Sequence, residues 1–143
     1  MADLDPLIRY RKHIVDEKKR VLAKLYEETQ ALEAEKEKTA EEIARERALA
    51  RESGDPQTLS FLGQYVAAAG RKIEKLQDGI KALELRIAIA QEDMRGAFAE
   101  LKKVEIVSRN RDKAAAKEDK RKEDMAFDEI ALDGFRRRQD EES

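Results

Sequence analysis

An unbroken series of apolar residues in the second half of the sequence constrains the fold more than any other feature. Steps of alternately three and four residues from Leu59 to Val104 meet an apolar residue every time, whereas the following steps, from Ser108 onward, meet mostly polar ones. A mean spacing of 3.5 residues is typical of the buried seam of a left-handed coiled coil. The pattern therefore predicts a long helix with a partner along fourteen seam positions: Leu59, Leu62, Val66, Ala69, Ile73, Leu76, Ile80, Leu83, Ile87, Ala90, Met94, Ala97, Leu101 and Val104.

The composition favours a coiled coil over a globular domain. Ala, Glu, Leu, Lys and Arg account for 84 of the 143 residues, 43% of the chain is charged, and only 5% is aromatic. Such a chain has too few large apolar side chains for a globular core. The formal net charge of -2 argues against nucleic-acid binding. No apolar run is long enough for a transmembrane segment, the start lacks a signal-peptide layout, and the absence of Cys excludes disulfides.

The two prolines mark helix starts. Asp5-Pro6 is typical of an N-cap followed by the first helical residue, and Gly54-Asp55-Pro56 combines a helix stop, a cap and a new start. A connection this short folds the second helix back along the first. The sequence predicts an all-α fold, a long antiparallel two-helix coiled coil (α-hairpin), with helices at about 6–53 and 57–137 and a tip near 53–56.

The first helix supplies a partner stripe that is less regular than the seam. We expect a one-residue phase slip around Leu25, and antiparallel partners whose residue numbers sum to about 111. Leu7 then faces Val104, where the seam of the second helix ends. This predicts a hairpin over residues 1–107 and a helical overhang over 108–143, with the stripe on Leu7, Tyr10, Ile14, Val21, Leu25, Leu32, Thr39 and Ile43.

The predicted overhang changes character along its length. Arg109 to Asp124 is an almost unbroken charge run, which usually indicates a solvated helix face. The segment from Met125 to Phe135 is apolar over a broad arc and is followed by three arginines. Exposed apolar side chains on a lone helix suggest that another protein covers them.

The sequence contains no catalytic constellation. His13 is the only histidine, the glycines do not form a phosphate-binding loop, and a two-helix coil offers no cleft for paired carboxylates. We therefore expect no enzyme activity, no metal site and no cofactor, and we expect His13 to be solvent-exposed.

Two aromatic residues lie off the seam close to the predicted tip. Phe61 and Tyr65 are four residues apart and share a helix face, which Ala68 and Lys72 continue. Two interpretations remain open: a docking patch for a partner, or a shield in which Phe61 folds over Leu59 or the turn.

Several segments together resemble the FliJ family, the soluble stalk proteins of the flagellar type III export apparatus, over nearly the whole chain. The most specific piece is the terminal DEIAxxxFRR run at residues 128–137. The other pieces are the capped start at 7–12, the charged run at 15–20, the hairpin with its Phe61–Tyr65 segment, and the stretch at 98–105.

The resemblance implies a cytoplasmic stalk, similar to the rotor shaft of rotary ATP synthases and peripherally associated with the cell membrane. It implies roles in flagellar protein export, motility and chemotaxis. Its implied partners are a hexameric export ATPase, a membrane export gate protein and export chaperones. Gate binding would fall on Phe61, Tyr65, Ala68 and Lys72; ATPase-ring or chaperone binding would fall on Arg9, Arg11, Phe127, Ile130, Leu132, Phe135, Arg136 and Arg137.

Two alternatives remain beside the flagellar stalk. The first is the homologous injectisome stalk, which has the same shape. The second is a purely structural coiled-coil scaffold with no motor partner, whose surface should be polar off the seam. Phe61, Tyr65 and Phe127 argue against such a scaffold. A helical arm that binds nucleic acid ranks third because the charges nearly cancel.

Overall fold

The computed structural model describes residues 3–142 and contains two α-helices, α1 (Asp5–Ser53) and α2 (Pro56–Glu142). The predicted all-α hairpin is confirmed. The chain divides into two compact units: residues 12–98 form one, and residues 1–11 with 99–143 form the other. Met1, Ala2 and Ser143, the outermost residues of the two predicted segments, lie outside the described residues. The predicted division at 107/108 stays a prediction.

The turn between the helices has the predicted chemistry. Gly54 has φ 63°, the left-handed conformation that glycine adopts without strain, and its N–H donates to the carbonyl of Ala50 at 3.2 Å. The Asp55 carboxylate accepts from the Gln57 N–H at 3.1 Å and caps α2. Because α1 ends just before Gly54 and Asp55 already caps α2, the short turn directs α2 back alongside α1.

The start of α1 differs from the prediction. The acceptor at this end is Asp3, whose Oδ1 accepts from the Asp5 N–H at 3.0 Å, and the Leu4 carbonyl accepts from Ile8 at 2.9 Å. Asp5 lies in the first turn, where its negative charge suits the positive end of the helix dipole. The expectation that Asp5 caps the helix was therefore wrong by two residues.

In the unit formed by residues 12–98, the predicted seam of α2 is buried as expected. Every seam position from Leu62 to Ala97 is buried or half-buried, and Ile80 is the most enclosed, with 1% exposed. Leu59 is the exception, with 48% exposed, because it lies beside the turn, where α1 ends. A cluster of Leu22, Leu25, Leu83 and Ala90 forms the centre of this core.

The register of the two arms also follows the prediction. Leu32 faces Gly79 closely enough that a Cβ at Gly79 would lie 3.1 Å from the leucine Cδ1. The numbers of this pair sum to 111. The Lys36 ammonium donates to the side chain of Gln77, which lies two residues before Gly79 on α2. The Gln91 amide donates to the Tyr26 hydroxyl at 2.9 Å.

The partner stripe of α1 does not slip in phase, contrary to the expectation. Val21 is 50% exposed whereas Leu22 is 6% exposed, and in the other unit Tyr10 is 57% exposed. The buried or half-buried positions of α1 in residues 12–98 instead include one heptad row without a phase change. It is continuous from residue 15 to residue 43 and resumes at Ala50 after exposed Glu46: Val15, Lys18, Leu22, Leu25, Thr29, Leu32, Lys36, Thr39, Ile43 and Ala50.

Polar residues conceal this row in the sequence. Thr39 is 2% exposed, and its hydroxyl donates to the Glu35 carbonyl at 2.8 Å. Thr29 donates to the Leu25 carbonyl at the same distance. Because these hydroxyls are satisfied within their own helix, threonine can occupy a seam position at low cost.

In the unit formed by residues 1–11 and 99–143, Leu4 and Leu7 lie beside α2. Leu4 and Leu7 line a shallow apolar groove with Val104 and Val107. From Ala116 to Glu142, α2 remains helical and every residue is exposed except half-buried Gly134. The apolar side chains of this segment therefore face solvent.

Candidate partner-binding surfaces

Close to the turn, both helices contribute to a shallow apolar groove, here called the tip groove. Phe61 is 62% exposed, Leu49 is 59% exposed and Tyr65 is 38% exposed. The groove is lined mainly by Leu49, Ala50, Phe61, Leu62 and Tyr65, with Glu46 as its charged member. Exposed aromatic rings beside a concave apolar surface provide contact area for a partner.

The structure separates the four residues expected at the gate-binding surface. Phe61 and Tyr65 both line the tip groove, whereas Ala68 is exposed outside it. The Lys72 ammonium forms an ion pair with Glu35 across the hairpin, with 2.7 Å between Nζ and Oε1. The hydrogen bond from Lys72 lowers the pKa of Glu35, and the same bond raises the pKa of Lys72. Lys72 therefore has an intramolecular role already.

Leu49 lines the tip groove but was not among the residues expected at the site. The register contained the signal, because a sum of 111 places Leu49 opposite Leu62, beside Phe61. Two further exposed residues, Leu85 (65%) and Ile89 (57%), were not recognised at all. Their signal is an apolar pair at outward-facing heptad positions.

The last part of α2 carries a second apolar surface, here called the tail stripe. Its members recur at intervals of three and four residues, the spacing of one face of a helix. Phe127 is 71% exposed, Ile130 68% and Phe135 59%. The tail stripe consists of Phe127, Ile130, Ala131, Gly134 and Phe135.

Leu132 lies at the edge of the tail stripe, three residues before Phe135. At 100° per residue, Leu132 and Met125 project from the side opposite Phe127 and Ile130. Leu132 is 55% exposed and Met125 is 53% exposed. Around the helix Phe135 lies between Phe127 and Leu132, so the expected apolar tail residues form one broad arc with Leu132 at its edge.

The arginines expected at the ATPase or chaperone surface have different surroundings. Arg9, Arg136 and Arg137 are exposed, whereas Arg11 is half-buried. The Arg11 guanidinium carbon lies 5.9 Å from the centroid of the Tyr10 ring, and its buried Nε has no hydrogen-bond partner among the described residues. The three exposed side chains are available to an acidic partner.

Residues 3–142 contain no group of His, Cys, Asp or Glu side chains able to hold a metal ion. His13 is exposed as expected, with its Nε2 3.0 Å from Glu17 Oε1. In the same range, neither helix has a stretch long and apolar enough to cross a membrane.

Comparison with known proteins identifies the family. The family model described as Flagellar FliJ protein matches residues 1–140. A search of curated proteins gave no match, and neither did a search of solved structures. Since the match spans nearly the whole chain and the helical hairpin agrees with the fold expected from the resemblance, this chain belongs to the flagellar FliJ protein family.

Proposed function

We propose that this protein is a coiled-coil stalk of the flagellar export apparatus that binds the hexameric export ATPase and the membrane export gate. It assists the delivery of export substrates and their chaperones, and it acts by binding rather than by catalysis. Family membership supports a role in flagellar export and favours the flagellar system over an injectisome. The site of action is the cytoplasmic side of the cell membrane, with peripheral attachment.

The tail stripe is the observation that carries this proposal. Three large apolar side chains, Phe127, Ile130 and Phe135, are all more than half exposed on one helix face. A spacing of three, four, seven and eight residues is how a helix presents its apolar anchors to a groove in another protein. We assign binding of the ATPase ring or of chaperones to this face, with Arg136 and Arg137 as flanking charges.

The tip groove is assigned to the export gate. Phe61 and Tyr65 offer aromatic anchors, and Leu49 extends the apolar area on α1. Ala68 and Lys72 continue the row along α2, although Lys72 must leave Glu35 to reach a partner. The exposure of Phe61 supports docking more than shielding of the turn, because a shielding ring would cover Leu59, which is 48% exposed.

The tail assignment is tested by replacing Phe127, Ile130 and Phe135 with alanine and titrating the full chain against purified export ATPase and export chaperones. Aromatic anchors commonly contribute about 2 kcal/mol each, so we expect affinity for one of these partners to fall at least about tenfold. Met125→Ala is the control, because Met125 projects from the side of the same helix opposite Phe127, and it should bind like the wild type. Equal losses from both variants would contradict the assignment to one face.

The gate assignment is tested with Phe61→Ala and Tyr65→Ala together. We expect weaker binding to the cytoplasmic part of the gate protein and reduced swimming in soft agar. Since both rings face solvent, the free energy of unfolding should change by only about 0.5 kcal/mol. Leu85→Ala with Ile89→Ala is the control, an exposed apolar pair in the same unit. Normal gate affinity with a marked loss of stability would instead support the shielding role.

A structural scaffold without a motor partner is the second candidate. It predicts that neither the ATPase nor the gate protein is retained by the immobilised wild-type chain, and that both alanine variants leave motility unchanged. The exposed aromatic rings in each unit favour the stalk over this scaffold.

A further inference from the structure

The outward face of α2 in the unit formed by residues 12–98 carries an apolar pair that the proposed function does not use. Leu85 is 65% exposed and Ile89 is 57% exposed. Both lie on the side of the helix opposite the seam, and neither lines the tip groove. Being four residues apart, the two side chains are neighbours on one helix face.

Charged residues flank this pair in a regular order. Positions three and four residues apart along the same face form what we call the outer row: Asp78, Lys81, Leu85, Ile89, Glu92 and Arg95. All six are exposed, and the order of character is acidic, basic, apolar, apolar, acidic, basic. When the row is placed beside a copy of itself running in the opposite direction, each acidic residue faces a basic one. The row is therefore complementary in charge to an antiparallel copy of itself.

We propose that the outer row binds a second copy of this chain, with the two α2 helices antiparallel and related by a two-fold axis between Leu85 and Ile89. In this arrangement Asp78 faces the partner subunit's Arg95, and Lys81 faces the partner subunit's Glu92. Two-fold symmetry repeats each pair, so four ion pairs surround an apolar centre of two leucines and two isoleucines. A parallel arrangement in register would set like charges against each other, so the charges select the antiparallel one.

The ionic groups are available for these contacts. Among the described residues, Asp78 and Lys81 take part in no ion pair. Glu92 and Arg95 pair with each other at 3.1 Å, but both side chains remain more than 70% exposed. One carboxylate oxygen of Glu92 therefore remains free to accept from the partner subunit's Lys81.

The dimer is expected to be weak. The outer row extends for about 26 Å at 1.5 Å per residue and presents only two large apolar side chains from each copy. Its interface falls below the roughly 1,200 Å² typical of stable complexes, as in transient association. We expect a dissociation constant of about 100 µM, so the dimer forms in concentrated solution and dissociates on dilution.

Sedimentation equilibrium of the full chain from low micromolar concentration to about 1 mM measures this association over the required range. Leu85→Ser with Ile89→Ser should raise the dissociation constant at least about tenfold. Phe61→Ala with Tyr65→Ala and Phe127→Ala with Ile130→Ala are matched controls on the other exposed apolar surfaces and should dimerise like the wild type. Circular dichroism verifies that each variant keeps its helix content.

Charge reversal tests the orientation. Lys81→Glu places two acidic residues opposite each other and should weaken the dimer, and Glu92→Lys should weaken it by placing two lysines together. The double variant restores opposite charges and should recover affinity, which a loss of folding or solubility would not produce.

Three results would each overturn the proposal. A chain that stays monomeric at 1 mM, a concentration about ten times the expected dissociation constant, has no such surface. If the variant with serine at positions 85 and 89 still dimerises, or if only the alanine variants of the tip groove or tail stripe fail to dimerise, the dimer uses another surface. A double charge variant no better than the single ones excludes the antiparallel pairing. Because the ATPase and gate assignments do not place Leu85 or Ile89 among the binding residues, these outcomes are independent of the proposed function.

Discussion

Replacing Leu22 with alanine, beside the matched change Val21→Ala, tests the register of α1. The two residues are adjacent in sequence, but Leu22 is 6% exposed within the core cluster and Val21 is 50% exposed. The predicted phase slip would have placed Val21 in the seam, so the pair of variants distinguishes the observed register from the expected one.

The burial gives the magnitudes. Leu22→Ala removes three carbon atoms, and at about 0.8 kcal/mol per buried methylene the transfer loss is about 2.4 kcal/mol. A cavity beside Leu25, Leu83 and Ala90 raises the total towards about 3 kcal/mol. Val21→Ala removes two carbons that are half exposed, so about 0.8 kcal/mol is lost. The higher helix propensity of alanine offsets about 0.5 kcal/mol of this.

Urea unfolding followed by circular dichroism, at a concentration where the chain is monomeric, measures both values. We expect the midpoint to fall clearly for Leu22→Ala and to stay close to the wild type for Val21→Ala, with the same denaturant slope in each. Equal losses, or a larger loss at Val21, would refute the observed register of α1 before Leu25 and support the phase slip.

Three further predictions concern the hairpin and its tail. Gly63→Ala should stabilise the chain by about 1 kcal/mol through helix propensity, since an added Cβ meets nothing within 4 Å, whereas Gly79→Ala should gain less because its Cβ would lie 3.1 Å from a leucine methyl of α1; thermal melting compares the two. Because Lys72 lowers the pKa of Glu35, the ionised carboxylate stabilises the fold at pH values above its ordinary pKa of 4.5, and this stability is lost as the pH falls through the lowered pKa. Because Glu35 raises the pKa of Lys72, the charged ammonium stabilises the fold at pH values below its ordinary pKa of 10.5, and this stability is lost as the pH rises through the raised pKa. The stability difference between the wild type and Glu35→Gln should therefore be present at neutral pH and vanish in acid, and a difference that persists in acid would contradict the ion pair. Removing residues 125–143 should leave the melting of the hairpin largely unchanged, because their apolar side chains are exposed, and a collapse of the whole helical signal would show that they belong to the core.

Sequence alone determined the helices, the turn and the seam of α2. An unbroken heptad needs no tertiary information, because the spacing itself selects the buried face. Gly54, Asp55 and Pro56 fix the turn by local backbone chemistry, and the short connection fixes the antiparallel direction. The tail stripe was also visible as an apolar segment, although helix geometry was required to separate Leu132 from Phe127 and Ile130.

Only the packed hairpin decided which face of α1 is buried. Apolar residues occur at Val21 and Leu22 alike, so periodicity could not choose between two adjacent phases. Four polar side chains in the row, at Lys18, Thr29, Lys36 and Thr39, concealed its continuity. The choice depends on the partner: α2 offers a continuous apolar seam, and α1 turns the face that buries Leu22 and Leu25 against it. The hydroxyl of Thr39 can be buried because it donates to the backbone of its own helix. The tip groove has the same origin, because Leu49 lies beside Phe61 only once the two arms are in register.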